Sequence, residues 1–461
     1  MRKNICFFAL TAVLAALLIL SCPNDDENNK PAPTPSNLPD VAIPADIMGM
    51  VHAGYHFGDD QEYAQLDEMG VVWMLRDFSW GSIQPSADTW RVEYFDQYVE
   101  AAARNNKKIV AILDYDVRWI HDETCGHSGR VVAGENEVEA FCEYVRKTVE
   151  YYKGKVGAWS IWNEPNLNPR FWTGTPEEFF ILTKAAAAAA REVDPDAILL
   201  GGGFNTEAVN DIWTKGIFEF GAMEQIDFLS YHPYMPDAGT SGEIYKRFRD
   251  YVDQYGFANK IWITEVGYPL DMEPWPGGGG YGTKVKEADF PDETVKTLAI
   301  LAAEGARVIL WYEMFDHGVN GDKSDSEDWF GLVDRTSRAK KGGGEAYQIC
   351  AHNIPGKTLR HSLLDRSGIP DYIATYYFEG AGGDHTLIVW NDRQLTRPQR
   401  VRVTLPGTDH KVWNVATGTS ATVNETSTWT LKTRDDAGNG ALQFFTWKNS
   451  DVTKPPRVTL E

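Results

Sequence analysis

Residues 157–165 read Gly157-Ala158-Trp159-Ser160-Ile161-Trp162-Asn163-Glu164-Pro165, a short apolar run that ends abruptly on an amide, an acid and a proline. The run has the length of a strand, and proline forbids its continuation. On its N-terminal side Val138, Phe141, Val145, Val149 and Tyr152 recur at helical spacing within Glu137–Tyr152. On its C-terminal side Glu177–Arg191 is again helical, with Ala185–Ala190 small enough for close packing on a sheet. The same alternation runs in both directions. Strands are expected at Ile47–His52, Val71–Arg76, Lys108–Asp114, Gly157–Asn163, Ala197–Gly202, Ile226–Tyr231, Lys260–Val266 and Arg307–Glu313. Eight strands separated by helical stretches across residues 45–352 predict a (β/α)8 TIM barrel. A doubly wound sheet would want a glycine-rich phosphate turn after its first strand, and His52-Ala53-Gly54-Tyr55-His56 is not one.

Beyond the barrel the helical periodicity stops. Residues 353–461 carry strand patterns at Tyr372–Phe378, His385–Trp390, Val401–Leu405, Lys411–Val415, Thr428–Leu431 and Ala441–Trp447, the pattern of a small C-terminal β-sandwich. Trp390 and Trp413 are expected in its core.

At the other end, Arg2 and Lys3 precede an apolar run from Ile5 to Leu20 and then Ser21-Cys22. The run is too short for a membrane span and suits a signal peptide. Ile19-Leu20-Ser21-Cys22 resembles a bacterial lipobox, so residues 1–21 are expected to be cleaved and Cys22 lipidated. Residues 22–44 hold few large apolar side chains and are expected to be a disordered tether. The expected location is an exported lipoprotein on the outer membrane or cell surface, held to the membrane only by its lipid.

The 461 residues are 43% hydrophobic and carry a formal charge of −22. That charge argues against nucleic acid as a partner, because phosphate recognition needs a basic footprint. Of the cysteines, Cys125, Cys142 and Cys350 remain after processing; Cys125 and Cys142 are able to pair outside the cytoplasm, and no zinc spacing occurs. No metal and no organic cofactor is expected.

Barrel enzymes work at the C-terminal ends of their strands. The fourth strand hands off at Asn163-Glu164 and the seventh, Ile261-Trp262-Ile263-Thr264-Glu265, at Glu265. A carboxylate ending an apolar strand is costly unless it is paired or functional. Two of them across one pocket are the requirement of glycosidic bond cleavage, one giving a proton to the leaving oxygen while the other attacks carbon or activates water.

Trp162-Asn163-Glu164-Pro165 together with Ile263-Thr264-Glu265 resembles the clan A glycoside hydrolases. LRDFSWGSIQP, WSIWNEPN, DFLSYHPY and ITEVGYP look most like family 39, with family 5 as the alternative. The resemblance implies a retaining enzyme in which Glu164 is the acid/base and Glu265 the nucleophile. It implies Asn163 on the sugar 2-hydroxyl, Arg76 holding the nucleophile ionised, His232 and Tyr234 beside that nucleophile, and Trp311 as the floor of the sugar site. Trp80 and Trp275, on strand-end loops, are expected to contact substrate, and Trp119 and Trp172 on such loops are further candidates for stacking on sugar. Asp114, Asp116 and His121 are candidates for the same side of the pocket, and Glu313 is an acid without an evident role. The acidic loop Asp316–Asp328 lacks calcium-site spacing. The expected activity is hydrolysis, endo-acting, on an extracellular polysaccharide or oligosaccharide. The alternatives are an exo-acting β-glycosidase and, from another class, a surface glycan-binding lipoprotein without catalysis.

Overall fold

The computed structural model describes residues 39–54, 56, 59–121, 132–206, 212–270, 285–317, 326–361, 363–365, 368–392, 398–432, 442–449, 451 and 453–461. Cys22, Cys125 and Trp275 lie outside the described residues, as does most of Asp316–Asp328. After β1 (Val41–Ala42) come the eight strands of the barrel. They are β2 (Met48–Val51), β3 (Trp73–Asp77), β4 (Lys108–Leu113), β5 (Ala158–Ile161), β6 (Leu199–Asn205), β7 (Phe228–His232), β8 (Ile261–Val266) and β9 (Val308–Trp311). Each pairs in parallel with the next, and β9 closes on β2, giving the (β/α)8 barrel.

Helices fill the intervals: α1 (Asp60–Glu68), α2 (Trp80–Ile83), α3 (Glu93–Arg104), α4 (Glu135–Tyr151), α5 (Pro176–Val193), α6 (Ile212–Glu219), α7 (Ala238–Val252), α8 (Phe290–Ala303) and α9 (Gly342–Asn353). Helix α5 begins on a Thr175 cap with Pro176 in its first turn, and buries Ala186, Ala187, Ala189 and Ala190. Its poly-alanine face lets the helix lie close to its neighbours, since no long side chain holds the backbones apart.

Alternation along the strands separates two cores. Val51, Trp73, Leu75, Val110, Ile112, Leu200, Trp262, Val308 and Leu310 point into the barrel, where Trp73 and Trp262 meet edge to face at 4.8 Å. The intervening residues, such as Met74, Ile309 and Trp311, face the helices. Both faces are therefore apolar, as expected for a parallel sheet covered on two sides.

The remaining strands are β10 (Thr358–Leu359), β11 (Ile373–Glu379), β12 (Asp384–Asn391), β13 (Gln399–Thr404), β14 (Thr408–Asn414), β15 (Thr419–Thr422), β16 (Thr426–Leu431), β17 (Leu442–Lys448) and β18 (Arg457–Leu460). They form a seven-stranded antiparallel sheet, β1-β10-β11-β12-β17-β14-β15, and a three-stranded one, β16-β13-β18. Ile373, Tyr377, Leu387, Val389, Phe445 and Trp447 face the small sheet, whereas Ala374, Tyr376, Phe378, Ile388, Trp390 and Phe444 belong to the core that includes the barrel helices. The central strands β11, β12 and β17 are thus covered on both faces; Trp390 is buried in this core, and Trp413 is half-buried against it.

One boundary differs from the expected tether through residue 44. Val41 and Ala42 pair with Leu359 and Thr358, adding an edge strand to the large sheet. Two residues give too little periodicity to reveal a strand whose partner lies some three hundred residues away.

Candidate active site

Glu164 and Glu265 meet at the C-terminal mouth of the barrel, where a cavity of about 230 Å³ is lined by both, with Asn163, Tyr234, Asp77 and His52 among its walls. The turn after β5 is tightly shaped. Trp162 and Glu164 both have left-handed backbones, φ 64° and 45°, which cost energy for residues with a Cβ. The Glu164 amide donates to the Gly203 carbonyl at 2.8 Å. Gly203 itself has φ 58°, and a Cβ there would sit 3.2 Å from the Trp162 carbonyl oxygen, so only glycine lets β6 approach.

His232, at the end of β7, joins the two acids. Its Nδ1 lies 2.9 Å from Glu164 Oε1 and 3.7 Å from Glu265 Oε2, and its Nε2 lies 2.9 Å from Thr264 Oγ1. One ligand atom from each of Glu164, His232 and Glu265 falls within 4.8 Å of the others. Asn205 Nδ2 donates to Glu164 Oε1 at 2.7 Å and Tyr234 donates its phenol proton to Glu265 Oε2 at 2.8 Å. Asn163 Nδ2 donates to the Tyr115 hydroxyl at 3.0 Å.

These contacts set the charges. Burial pushes the Glu265 carboxyl up to about 7; His232 opposes that shift, the Glu164 charge adds to it, and the Tyr234 hydrogen bond opposes it. Burial works against a charge on His232, yet the Glu265 charge and the hydrogen bond to Glu164 hold it above the ordinary imidazole range. Behind the pocket-lining His52, Glu313, fully buried, accepts from His52 Nδ1 at 2.6 Å and His317 Nε2 at 2.7 Å. That answers what Glu313 does: it fixes His52 at the pocket. His52 is also raised above its ordinary value, because the Glu313 hydrogen bond and charge outweigh burial. Burial likewise raises Asp77 and Asp114, and the Asp77 charge lifts Asp114 further.

Several expected site residues stand elsewhere. Arg76 lines the cavity next to the one that holds Glu265; it follows the outward parity of β3 and donates from Nη2 to the Tyr94 hydroxyl, its guanidinium 4.8 Å from that ring's centre. Asp77 holds the inward position instead. Trp311 is fully buried in the helix layer, 5.8 Å from Tyr268 and 6.3 Å from Phe290, and the next residue, Tyr312, lines the pocket. Trp80 is also fully buried; it stacks on Tyr144 and donates from Nε1 to Gln84. Trp172 is core as well, and Trp119 is half-buried with its Nε1 bonded to the Gln84 carbonyl. Asp116 and Glu137 both pair with His121, and Asp316 pairs with Lys341. Cys142 and Cys350 are free thiols.

His52, Asp77, Tyr115, Arg170, Phe171, Asn205, Tyr312 and Phe330 were not expected in the site. A usable signal existed for Asn205 and Asp77, polar residues ending apolar strands as Glu164 and Glu265 do.

The family model described as glycosyl hydrolases family 39 matches residues 134–255. An endo-1,4-beta-xylanase B of Thermotoga neapolitana is 23% identical over 261 residues, 51% of this chain and 70% of that protein. A beta-xylosidase of Caldicellulosiruptor saccharolyticus is 41% identical over 95 residues, 20% of this chain but only 19% of its own length. Among solved structures, a family 39 glycoside hydrolase from the gut symbiont Bacteroides cellulosilyticus WH2 has a TM-score of 0.69 at 18% identity, covering 88% of this chain and 81% of its own. A family 39 β-xylosidase from Caulobacter crescentus has a TM-score of 0.59 at 14% identity, covering 89% and 98%.

Proposed function

We propose that the chain is a glycoside hydrolase similar to family 39, a retaining, endo-acting enzyme on a β-linked, xylan-like polysaccharide. The observation that carries the mechanism is the closeness of Glu164 and Glu265, whose oxygens lie within 4.8 Å of each other and of His232. A retaining pair sits about 5–5.5 Å apart, whereas an inverting pair leaves about 6.5–9.5 Å for a water.

In this reading Glu265 attacks the anomeric carbon while Glu164 protonates the departing oxygen, giving a covalent glycosyl-enzyme. Glu164 then takes a proton from water, which displaces Glu265 with net retention. The charge on His232 and the Tyr234 hydroxyl favour an ionised Glu265. Asn205 holds Glu164, and Asn163, braced by Tyr115, is available for the sugar 2-hydroxyl. Endo action is supported by a second cavity that shares Asp77 with the first, leaving room for more than one sugar unit. Xylan is supported by the names of the relatives.

The test is a product profile on polysaccharides and aryl glycosides, with Glu164→Ala and Glu265→Ala alongside. Oligosaccharide ladders whose first-formed anomer matches the substrate support the reading. Single terminal sugars would favour exo action, and the opposite anomer would overturn retention. Glycan binding without cleavage would favour the binding lipoprotein instead.

The lipobox-like segment supports a second part of the proposal, a Cys22-lipidated protein at the cell surface. Loss of radiolabelled palmitate and of membrane fractionation in Cys22→Ser is the expected result; retention of both would overturn it.

A further inference from the structure

Beside the active-site pocket lies a second cavity of about 590 Å³, within the size range of sugar and small-ligand sites. Arg76, Asp77, Ser82, Arg91, Glu93 and Tyr94 are among its walls. Asp77 lines both cavities, so an occupant here would be a close neighbour of the bond being cut. Two features of the wall point to one chemistry.

The first is charge. The chain carries 66 acidic against 44 basic residues, yet two guanidiniums border this one cavity. Among the described residues Arg91 makes no ion pair, and its backbone is tied to Ile83 by a 2.7 Å hydrogen bond. Arg76 is nearly buried, 8% exposed, and is held by its contacts with Tyr94 and with Tyr98, whose ring centre is 5.2 Å away. The second feature is an aromatic face. Tyr94 is 42% exposed in a protein whose large aromatics are mostly interior. Glu93, in the first turn of α3, and Asp77 are the acids on the same wall.

We propose that this cavity binds an acidic sugar unit of the polysaccharide, its carboxylate on Arg91 and Arg76 and its ring against Tyr94. A planar guanidinium matches a carboxylate in a two-point hydrogen bond, and an exposed tyrosine ring gives a flat apolar face to a pyranose. A neutral sugar would leave Arg91 without an anion, and a bare phosphate would leave the aromatic face unused. The inference rests on the reading of the chain as a polysaccharide hydrolase and adds to it a preference for uronate-bearing substrate.

The experiment uses the full chain carrying Glu265→Ala, so that binding is read without turnover. Xylotetraose with and without a single glucuronic acid branch is titrated calorimetrically at low and at high salt. The acidic oligosaccharide is expected to bind about tenfold tighter or more, with the advantage shrinking in salt. Adding Arg91→Gln is expected to abolish that advantage while leaving the neutral affinity in place, and Tyr94→Ala to weaken both. Arg91 is exposed, so its replacement leaves the core intact, which a thermal melt verifies. Equal binding of the two sugars, binding of neither, or an advantage that survives Arg91→Gln overturns the proposal. Turnover by the wild-type chain is scored separately. Cleavage without an acid preference removes this inference alone, whereas acid-selective binding without cleavage removes the hydrolase reading alone.

Discussion

His232 Nδ1 lies 2.9 Å from Glu164 Oε1 and holds that contact while standing 3.7 Å from Glu265. One buried imidazole therefore serves both carboxylates. It hydrogen-bonds the proposed proton donor and offsets the negative charge that burial makes expensive on the proposed nucleophile.

The pH profile follows. Glu265 must be ionised to attack, and its carboxyl is pushed up to about 7, so kcat/KM of the free enzyme rises with pH through about 7. In His232→Gln the cation that lowers the Glu265 value is gone. The acid limb is expected to move to higher pH by about one unit. Rates measured across both limbs check this, and an unmoved limb would remove His232 from the role.

Tyr234→Phe deletes the hydroxyl that donates to Glu265 Oε2 at 2.8 Å. A hydrogen bond to a charged group contributes about 1.5–3 kcal/mol, so kcat/KM is expected to fall roughly 10- to 150-fold. The acid limb should shift upward here too, because the bond favours the ionised form. Steady-state kinetics at several pH values read both effects.

Glu164→Ala removes the proposed acid and base. A fall of about 10²–10⁴-fold is expected on substrates with poor leaving groups, and a smaller one on aryl glycosides whose leaving group needs no proton. External azide should restore turnover of the aryl glycoside by replacing the activated water. Equal losses on both substrate types would count against the assignment.

Trp80→Ala separates core from subsite. Its ring is fully buried against Tyr144 and Phe141, and truncation is expected to cost about 3–5 kcal/mol of stability. Urea unfolding measures the loss, and KM of the folded fraction should be unchanged. A higher KM at unchanged stability would restore Trp80 to the substrate.

Lys296→Met probes helix α8, every residue of which is buried. Lys296 pairs with Glu293 at 2.9 Å, and Glu293 also accepts the Ala238 amide at the start of α7. Removing the cation strands a buried carboxylate, at an expected cost of about 3–5 kcal/mol by chemical denaturation.

Glu164 and Glu265 were legible in the chain because strand ends are local events. An apolar run, a stop and an acid can be read without knowing what lies across the barrel. The order of strands and helices was legible for the same reason, and with it the barrel and the sheet-rich tail. What the chain did not reveal was the side of each strand on which a residue falls. Strands β3 and β9 are apolar on both faces, one toward the barrel interior and one toward the helices, so the usual alternation of apolar and polar residues is missing. Arg76 and Asp77, or Trp311 and Tyr312, are equally plausible from sequence. Folding put Asp77 and Tyr312 at the pocket and sent Arg76 and Trp311 outward. Contacts such as Asn205 with Glu164, or His52 with Glu313, join residues 41 and 261 positions apart, and no local pattern encodes them. Barrel closure alone brings such partners within hydrogen-bond reach, because parallel register fixes which strand ends share the mouth.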